Sequence, residues 1–160
     1  MDRTDSVALI PGIMQSAINS FNSNEIFLLT HNVSERCICA KFAGYLEREL
    51  YRQGLVQYSV DVEYNRNTGD PKRLHDKNIV VDLIVHKRGY SGYEDGNLIC
   101  IEMKKSCNRA GLNADKQRLQ DLVSSEYGYY YFVGYMILIG VGQTPEKCGL
   151  WIESEYKRKY

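Results

Sequence analysis

The sequence lacks most of the features that make function easy to read. Its 160 residues carry 20 Lys+Arg against 20 Asp+Glu, a formal net charge of zero, so the basic balance common in nucleic-acid-binding domains is missing. That weakens such a reading without removing it, because a metal site built from acids offsets nearby lysines and arginines in the sum. No stretch of 18 or more apolar residues occurs, so no transmembrane helix and no membrane partner are expected. Met1-Asp2-Arg3-Thr4-Asp5 lacks the basic-then-apolar form of a signal peptide. The five cysteines (Cys37, Cys39, Cys100, Cys107 and Cys148) are odd in number and form no CxxC pair. This argues against a closed zinc site and for free or buried thiols in a reducing cytoplasm. No internal repeat or low-complexity segment is present. What remains is ordinary for a globular protein, 44% apolar and 25% charged, and the length suits a single domain over residues 1–160. The 13 tyrosines read mainly as core-edge and surface residues.

Periodicity orders the chain. Residues 6–22 suggest a short helix interrupted near Pro11-Gly12. Residues 33–52 suggest the longest helix, with Asn32 as its cap, Glu35 three residues on as in a capping box, and Ile38, Phe42, Leu46 and Leu50 as its apolar stripe. Gly54 ends it. From Val56 to Tyr64 the residues alternate: Val56, Tyr58, Val60, Val62 and Tyr64 face one way, and Gln57, Ser59, Asp61 and Glu63 the other, as in a half-buried strand. A polar loop over 65–78 follows, with turn chemistry at Gly69-Asp70-Pro71. Two apolar strands, 79–86 and 98–104, are joined by a long hairpin loop over 87–96. Leu112, Leu119, Leu122 and Val123 mark a helix over 112–125. Tyr131–Ile139 reads as a strand buried on both faces, with Tyr127 to Tyr131 packing the crossover on the sheet. A short strand around 150–152 precedes the basic tail Lys157-Arg158-Lys159. Three strands in an antiparallel meander, then a helix crossing to a parallel strand, predict an α/β fold with a mixed sheet and helices on both faces.

Two of these strands carry charges where apolar residues are expected. Asp82 interrupts Ile79-Val80-Val81-Asp82-Leu83-Ile84-Val85, and Glu102 and Lys104 interrupt Ile101-Glu102-Met103-Lys104-Lys105. Buried charges are costly unless paired or metal-bound. Strand parity puts Glu102 and Lys104 on one face, opposite Ile99, Ile101 and Met103, while Ile79, Val81, Leu83 and Val85 share the face that Asp82 avoids. A hairpin symmetric about Gly92 sets Asp82 opposite Glu102, with Cβ atoms about 4.5–5.5 Å apart. Carboxylates that close repel unless a cation separates them. Mg²⁺, or Mn²⁺ in its place, suits such an all-oxygen site, and Lys104 beside it could orient a water or steady a developing negative charge. The plainer reading is a structural ion-pair cluster under a helix.

These residues resemble the PD-(D/E)XK nuclease superfamily, the restriction-endonuclease-like fold. Asn97-Leu98-Ile99-Cys100-Ile101-Glu102-Met103-Lys104-Lys105-Ser106 and Val81-Asp82-Leu83-Ile84-Val85-His86-Lys87-Arg88-Gly89 look like the motif strands of small bacterial members, and the likeness spans about residues 31 to 139. The resemblance implies an αβββαβ core and a divalent-metal site of Asp82, Glu102 and the backbone carbonyl of Met103, with Lys104 as the catalytic lysine. It implies hydrolysis of nucleic-acid phosphodiesters, DNA rather than RNA, and a homodimer is one way for so small a nuclease to cut both strands. Val81 replaces the motif's proline, which holds no metal. An acid on the first core helix often approaches the metal in this superfamily, which nominates Glu35. The helix after the motif often lends a phosphate-binding side chain, which nominates Lys116, Gln117 and Arg118. Glu63, His31 and His86 are weaker candidates, each with a plain structural explanation. The rival functional reading is a catalytically silent nuclease-fold module that binds nucleic acid or a protein partner.

Overall fold

A computed structural model describes residues 3–67, 69–90, 96–142 and 144–159. Its centre is a five-stranded mixed sheet of β1 (Ser59–Tyr64), β6 (Val81–His86), β7 (Asn97–Lys105), β8 (Val133–Gly140) and β9 (Gly149–Lys157), lying side by side in that order. Strands β1, β6 and β7 form the antiparallel meander. Helix α4 (Leu112–Val123) carries the chain across to β8, parallel to β7, and β9 returns antiparallel to β8. Helices α1 (Arg3–Asn24) and α3 (Glu35–Arg52), joined by the short α2 (Ile26–Thr30), pack on one face with Leu83, Val85, Ile99, Ile101 and Met103. On the other face α4 covers Ile84, Cys100, Met136 and Leu138. Every residue of β8 is buried, as its unbroken apolar run requires of a central strand covered on both sides. Among the described residues no helix is long and apolar enough to cross a membrane.

Several local expectations are corrected. Helix α1 runs unbroken through Pro11. A proline inside a helix costs about 3 kcal/mol. Here Ile10, Ile13, Met14, Ile18 and Phe21 are all buried, each worth about 1.5–3 kcal/mol, so packing outweighs the lost hydrogen bond. Helix α3 is capped by Ser34, whose hydroxyl accepts from the Cys37 amide at 3.2 Å, not by Asn32. Asn32 adopts a left-handed φ of 50° and its Oδ1 accepts from Lys105 Nζ at 2.8 Å. No capping box forms, and Glu35 is free to reach the sheet. Gly54, at φ 76°, follows the helix end as expected.

The alternation of β1 begins only at Ser59, with Val56 exposed, and breaks at Glu63, which has a left-handed φ of 51°. Val60 and Val62 therefore join the α3-side core while Tyr64 packs on the α4 side. The same break separates Ile79 and Val81 from Leu83 and Val85: the first two pack on the α4 side and the last two on the α3 side. The polar loop holds two small hairpins, β2 (Arg66–Asn67) with β3 (Asp70–Pro71) and β4 (Arg73–Leu74) with β5 (Lys77–Asn78). The expected short strand at 150–152 extends over nine residues and takes in the basic tail as far as Lys157. The hairpin apex at Gly92 lies outside the described residues.

Candidate functional site

The β6–β7 ladder sets the site. Leu83 pairs with Ile101 and Ile84 with Cys100, and that register carries Asp82 beside Glu102. Asp82 Oδ2 accepts the Met103 amide at 2.8 Å, and the two carboxyl groups lie within hydrogen-bonding reach of each other. The register shift between Val85 and His86 lies at the other end of the ladder. Glu102 is only 2% exposed. Parity turns Glu102 and Lys104 toward α4, where each finds a partner. Arg118 Nη1 donates to Glu102 Oε1 at 2.6 Å and stands 3.5 Å from Asp115 Oδ1, while Lys104 Nζ is 3.0 Å from Asp115 Oδ2. Gly111, at φ 75°, supplies the left-handed turn that starts α4 and so aims Asp115 and Arg118 at the strand.

A cleft of about 170 Å³ opens at this end of the sheet, lined by Glu35, Arg36, Cys39, Val62, Glu63, Asp82 and Met103. Glu35 enters from the first turn of α3, and its Oε2 accepts the Lys105 amide at 2.6 Å. Arg36 and Glu63 form an ion pair at the rim.

Burial dominates the electrostatics. It drives the Glu102 carboxyl well above the ordinary range, with the Asp82 charge adding to the effect and Arg118 opposing it. The Asp82 carboxyl is also pushed up by burial, against the pull of the Met103 amide. Desolvation is the first cause for both acids, and the hydrogen bond between them raises the Glu102 carboxyl while lowering that of Asp82. Burial also works against the charge on Lys104 and on Arg118, but their acidic partners prevail, and both pKa values stand above their ordinary ones. Cys39 is a buried thiol pushed up by desolvation first and by Asp82 next, a poor nucleophile.

Of the residues nominated from the sequence, Asp82, Met103 and Glu35 line the cleft, while Glu102, Lys104 and Arg118 gather on the α4 side with Asp115 and do not line it. Lys116 and Gln117 join neither group: Lys116 Nζ pairs with Glu153 on β9 at 2.5 Å, and Gln117 donates to Asp121 at 2.9 Å. Glu63 lines the cleft. His31 stacks on Phe27 at 3.8 Å between ring centroids, and His86 is tied to Asp61 at 2.7 Å. Sequence reasoning missed Asp115 and Arg36. Asp115 could have been found three residues before Arg118 on one helix face; no sequence signal singled out Arg36.

The donor set was tested against a divalent ion. Among the described residues, no three His, Cys, Asp or Glu side chains gather closely enough to hold a metal. The chemistry of the donors does suit a hard cation. They are acid oxygens only, and two are neighbours whose raised carboxyl pKa values a cation would reverse. Comparison with protein-family profiles, with curated proteins and with solved structures returned no match for this chain.

Proposed function

We propose that this chain is a divalent-metal-dependent nuclease of the PD-(D/E)XK type, with a restriction-endonuclease-like core, acting on DNA in preference to RNA. The observation that carries the reading is the buried pairing of Asp82 with Glu102 beside Lys104. An acid pair in this setting raises its own protonation and contributes little to stability, so its presence is better explained by a ligand it serves. Asp82, Glu102 and the Met103 carbonyl would hold Mg²⁺ or Mn²⁺; Asp82, Met103 and Glu35 line one cleft, and Glu102, 2% exposed, adjoins Asp82 outside that lining. When bound, the metal supplies Lewis-acid stabilisation and an acidified water. Lys104, kept cationic by Asp115, positions the attacking water and steadies negative charge developing at phosphorus. Arg118 holds Glu102 in its rotamer from α4.

One observation favours the rival reading, a silent module of the same fold. Glu102 and Lys104 already have internal partners in Arg118 and Asp115, a network that neutralises itself without a metal. A cleavage panel separates the two readings, using single- and double-stranded DNA and RNA with Mg²⁺ and Mn²⁺. The nuclease reading expects metal-dependent cleavage that falls by about 10³-fold or more in Asp82→Ala and Lys104→Ala while circular dichroism stays native. Metal-dependent nicking that persists unchanged in both purified variants rejects the mechanism. Calorimetric titration showing no Mg²⁺ or Mn²⁺ affinity, with no cleavage of any substrate, selects the silent module.

A further inference from the structure

Another pocket lies at the far end of β6. Arg66, Lys72 and Lys87 bring cations to it, with His86, Tyr64 and Tyr90 among its walls. No acidic side chain among the described residues lines it. The neighbouring Asp61 is already engaged, accepting from Arg88 Nε at 2.8 Å and bonded to His86 Nε2 at 2.7 Å.

Lys72 is the anomaly. It is 2% exposed, yet no carboxylate pairs with it among the described residues. Its ammonium donates to the Tyr131 hydroxyl at 2.8 Å and lies 5.0 Å from the Tyr64 ring centroid and 5.4 Å from that of Tyr131. An ammonium has three N–H donors, and ring faces satisfy them weakly. Its backbone is pinned on both sides, the amide to Asn65 O at 2.6 Å and the carbonyl by the Ile79 amide at 2.9 Å. The two small hairpins thus hold this lysine in place instead of letting it extend to solvent. Burial lowers its pKa to about 8, a cost that a bound anion would reverse. Lys87 Nζ, half-buried, stands 5.2 Å from the Tyr58 and Tyr90 centroids. The enclosed space of about 20 Å³ takes one water-sized group.

We propose that this pocket is a phosphate subsite, in which one phosphoryl oxygen enters beside Lys72 while Lys87 and Arg66 face the rest of the group at the mouth. The identification of the ligand as a nucleic-acid strand rests on the nuclease reading; the affinity for a phosphoryl oxyanion does not. Asp82 and His86 are four residues apart on β6, about 13 Å, or roughly four stacked nucleotide steps. The cleft opens on the α3 face and this pocket on the α4 face, so one strand would reach both by crossing the β1 edge of the sheet, through either an internal phosphodiester or a terminal phosphate.

The test is calorimetry in EDTA, away from any metal chemistry. Inorganic phosphate is expected to bind the wild type, and Lys72→Met and Lys87→Gln each to weaken it by about tenfold. Lys77→Gln, an equal charge change at an exposed residue outside the pocket, should bind like the wild type. A single-stranded dodecamer with and without a 5′-phosphate separates the sources. A preference for the phosphorylated strand that disappears in Lys72→Met marks a terminal phosphate; equal weakening of both strands marks an internal one. Absence of phosphate binding by the wild type overturns the subsite. So does unchanged affinity in Lys87→Gln, which keeps the buried lysine and so bypasses any folding defect of Lys72→Met, or an equal loss in Lys77→Gln. Phosphate binding that survives while no substrate is ever cleaved would leave the subsite standing and remove the nuclease.

Discussion

Two carboxylates on neighbouring strands of the same sheet meet opposite fates. Asp61 on β1 is surrounded by donors: His86, 7% exposed at its side chain, and the Arg88 guanidinium both reach it, and it is itself 17% exposed. Its carboxyl is held below the ordinary range, chiefly by the Arg88 hydrogen bond, with burial opposing. Asp82 on β6, about two residues along the ladder, is pushed up by burial, which outweighs the downward pull of the Met103 amide and of the Glu102 hydrogen bond. The same strand pair thus holds one charge cluster that stabilises the fold and one that works against it. The difference lies in what each acid accepts from. Asp61 has a bidentate guanidinium and an imidazole, whereas Asp82 has one backbone amide and a second carboxyl group, neither of them a cation. Full pairing around Asp61 is the mark of a structural ion cluster. Asp82 bears its burial without a cationic partner, which is what the proposed metal would supply, and this contrast is open to experiment.

The largest effect on stability should come from breaking the satisfied cluster. Asp61→Asn keeps the shape but cannot serve both donors as an anion. It should cost about 2 kcal/mol, a fall of about 4–8 °C in melting temperature for a chain of this length. Asp82→Asn should move the other way. Asparagine can still accept from the Met103 amide and can donate to Glu102, so the cost of burying the Asp82 charge disappears and the bond remains. A gain of about 1 kcal/mol near pH 8, by denaturant or thermal unfolding, is expected, together with the loss of any metal-dependent cleavage. If Asp82→Asn destabilises as much as Asp61→Asn, the two clusters are of one kind and the argument from the buried charge fails.

The pH dependence sharpens the contrast. Asp61 has a depressed carboxyl, so its contribution is complete above the unfolded value near 4 and is lost as pH falls through the lower folded value. His86, lowered chiefly by burial, also favours the neutral side: it contributes above its unfolded value near 6.5 and loses that contribution on acidification. Glu102 is raised, so the folded state binds its proton more tightly and stability declines as pH rises from about 4 through the folded value. Wild-type stability should therefore fall at both extremes. Glu102→Gln, which can still accept from Arg118, should flatten the alkaline decline and leave the acid limb unchanged. An unaltered alkaline limb would place the proton elsewhere.

How far the residues alone reveal these clusters depends on the rule in play. Strand parity is local and rigid, so Glu102 and Lys104 were legible as one face, and the hairpin register put Asp82 beside Glu102. Helix direction is equally strict in what it excludes. Successive residues turn by about 100°, so Lys116, Gln117 and Arg118 could not all face the strand, and only Arg118 does. Tertiary forces hid the rest. Pro11 reads as a break until the apolar face of α1 has something to pack on. Asn32 and Ser34 are both acceptable caps, and only the approach of Lys105 decides between them. The left-handed Glu63 leaves no mark in an alternating pattern, yet it moves Tyr64 to the other face. Strand β9 alternates with charged residues on its open side, and these read as a tail. The buried Lys72 sits in a stretch whose composition reads as loop, and it is packed between Tyr64, on the strand just before, and Tyr131, far away in sequence.

The smallest expected effect concerns the rim of the cleft. Arg36 and Glu63 pair with side chains 73% and 40% exposed, and such pairs are screened by solvent and salt. Glu63 nonetheless keeps a lowered carboxyl, chiefly through the Arg36 hydrogen bond. Arg36→Gln and Glu63→Gln, alone or together, should leave the melting temperature within the scatter between preparations. This is the opposite of Asp61→Asn, although both acids pair with an arginine. Gln at this left-handed position is strained just as Glu is, so a fall in melting temperature in Glu63→Gln would have to come from the lost pair and would overturn the expectation. Glu63→Gly relieves the backbone while deleting the pair, so its melting temperature should rise above that of Glu63→Gln.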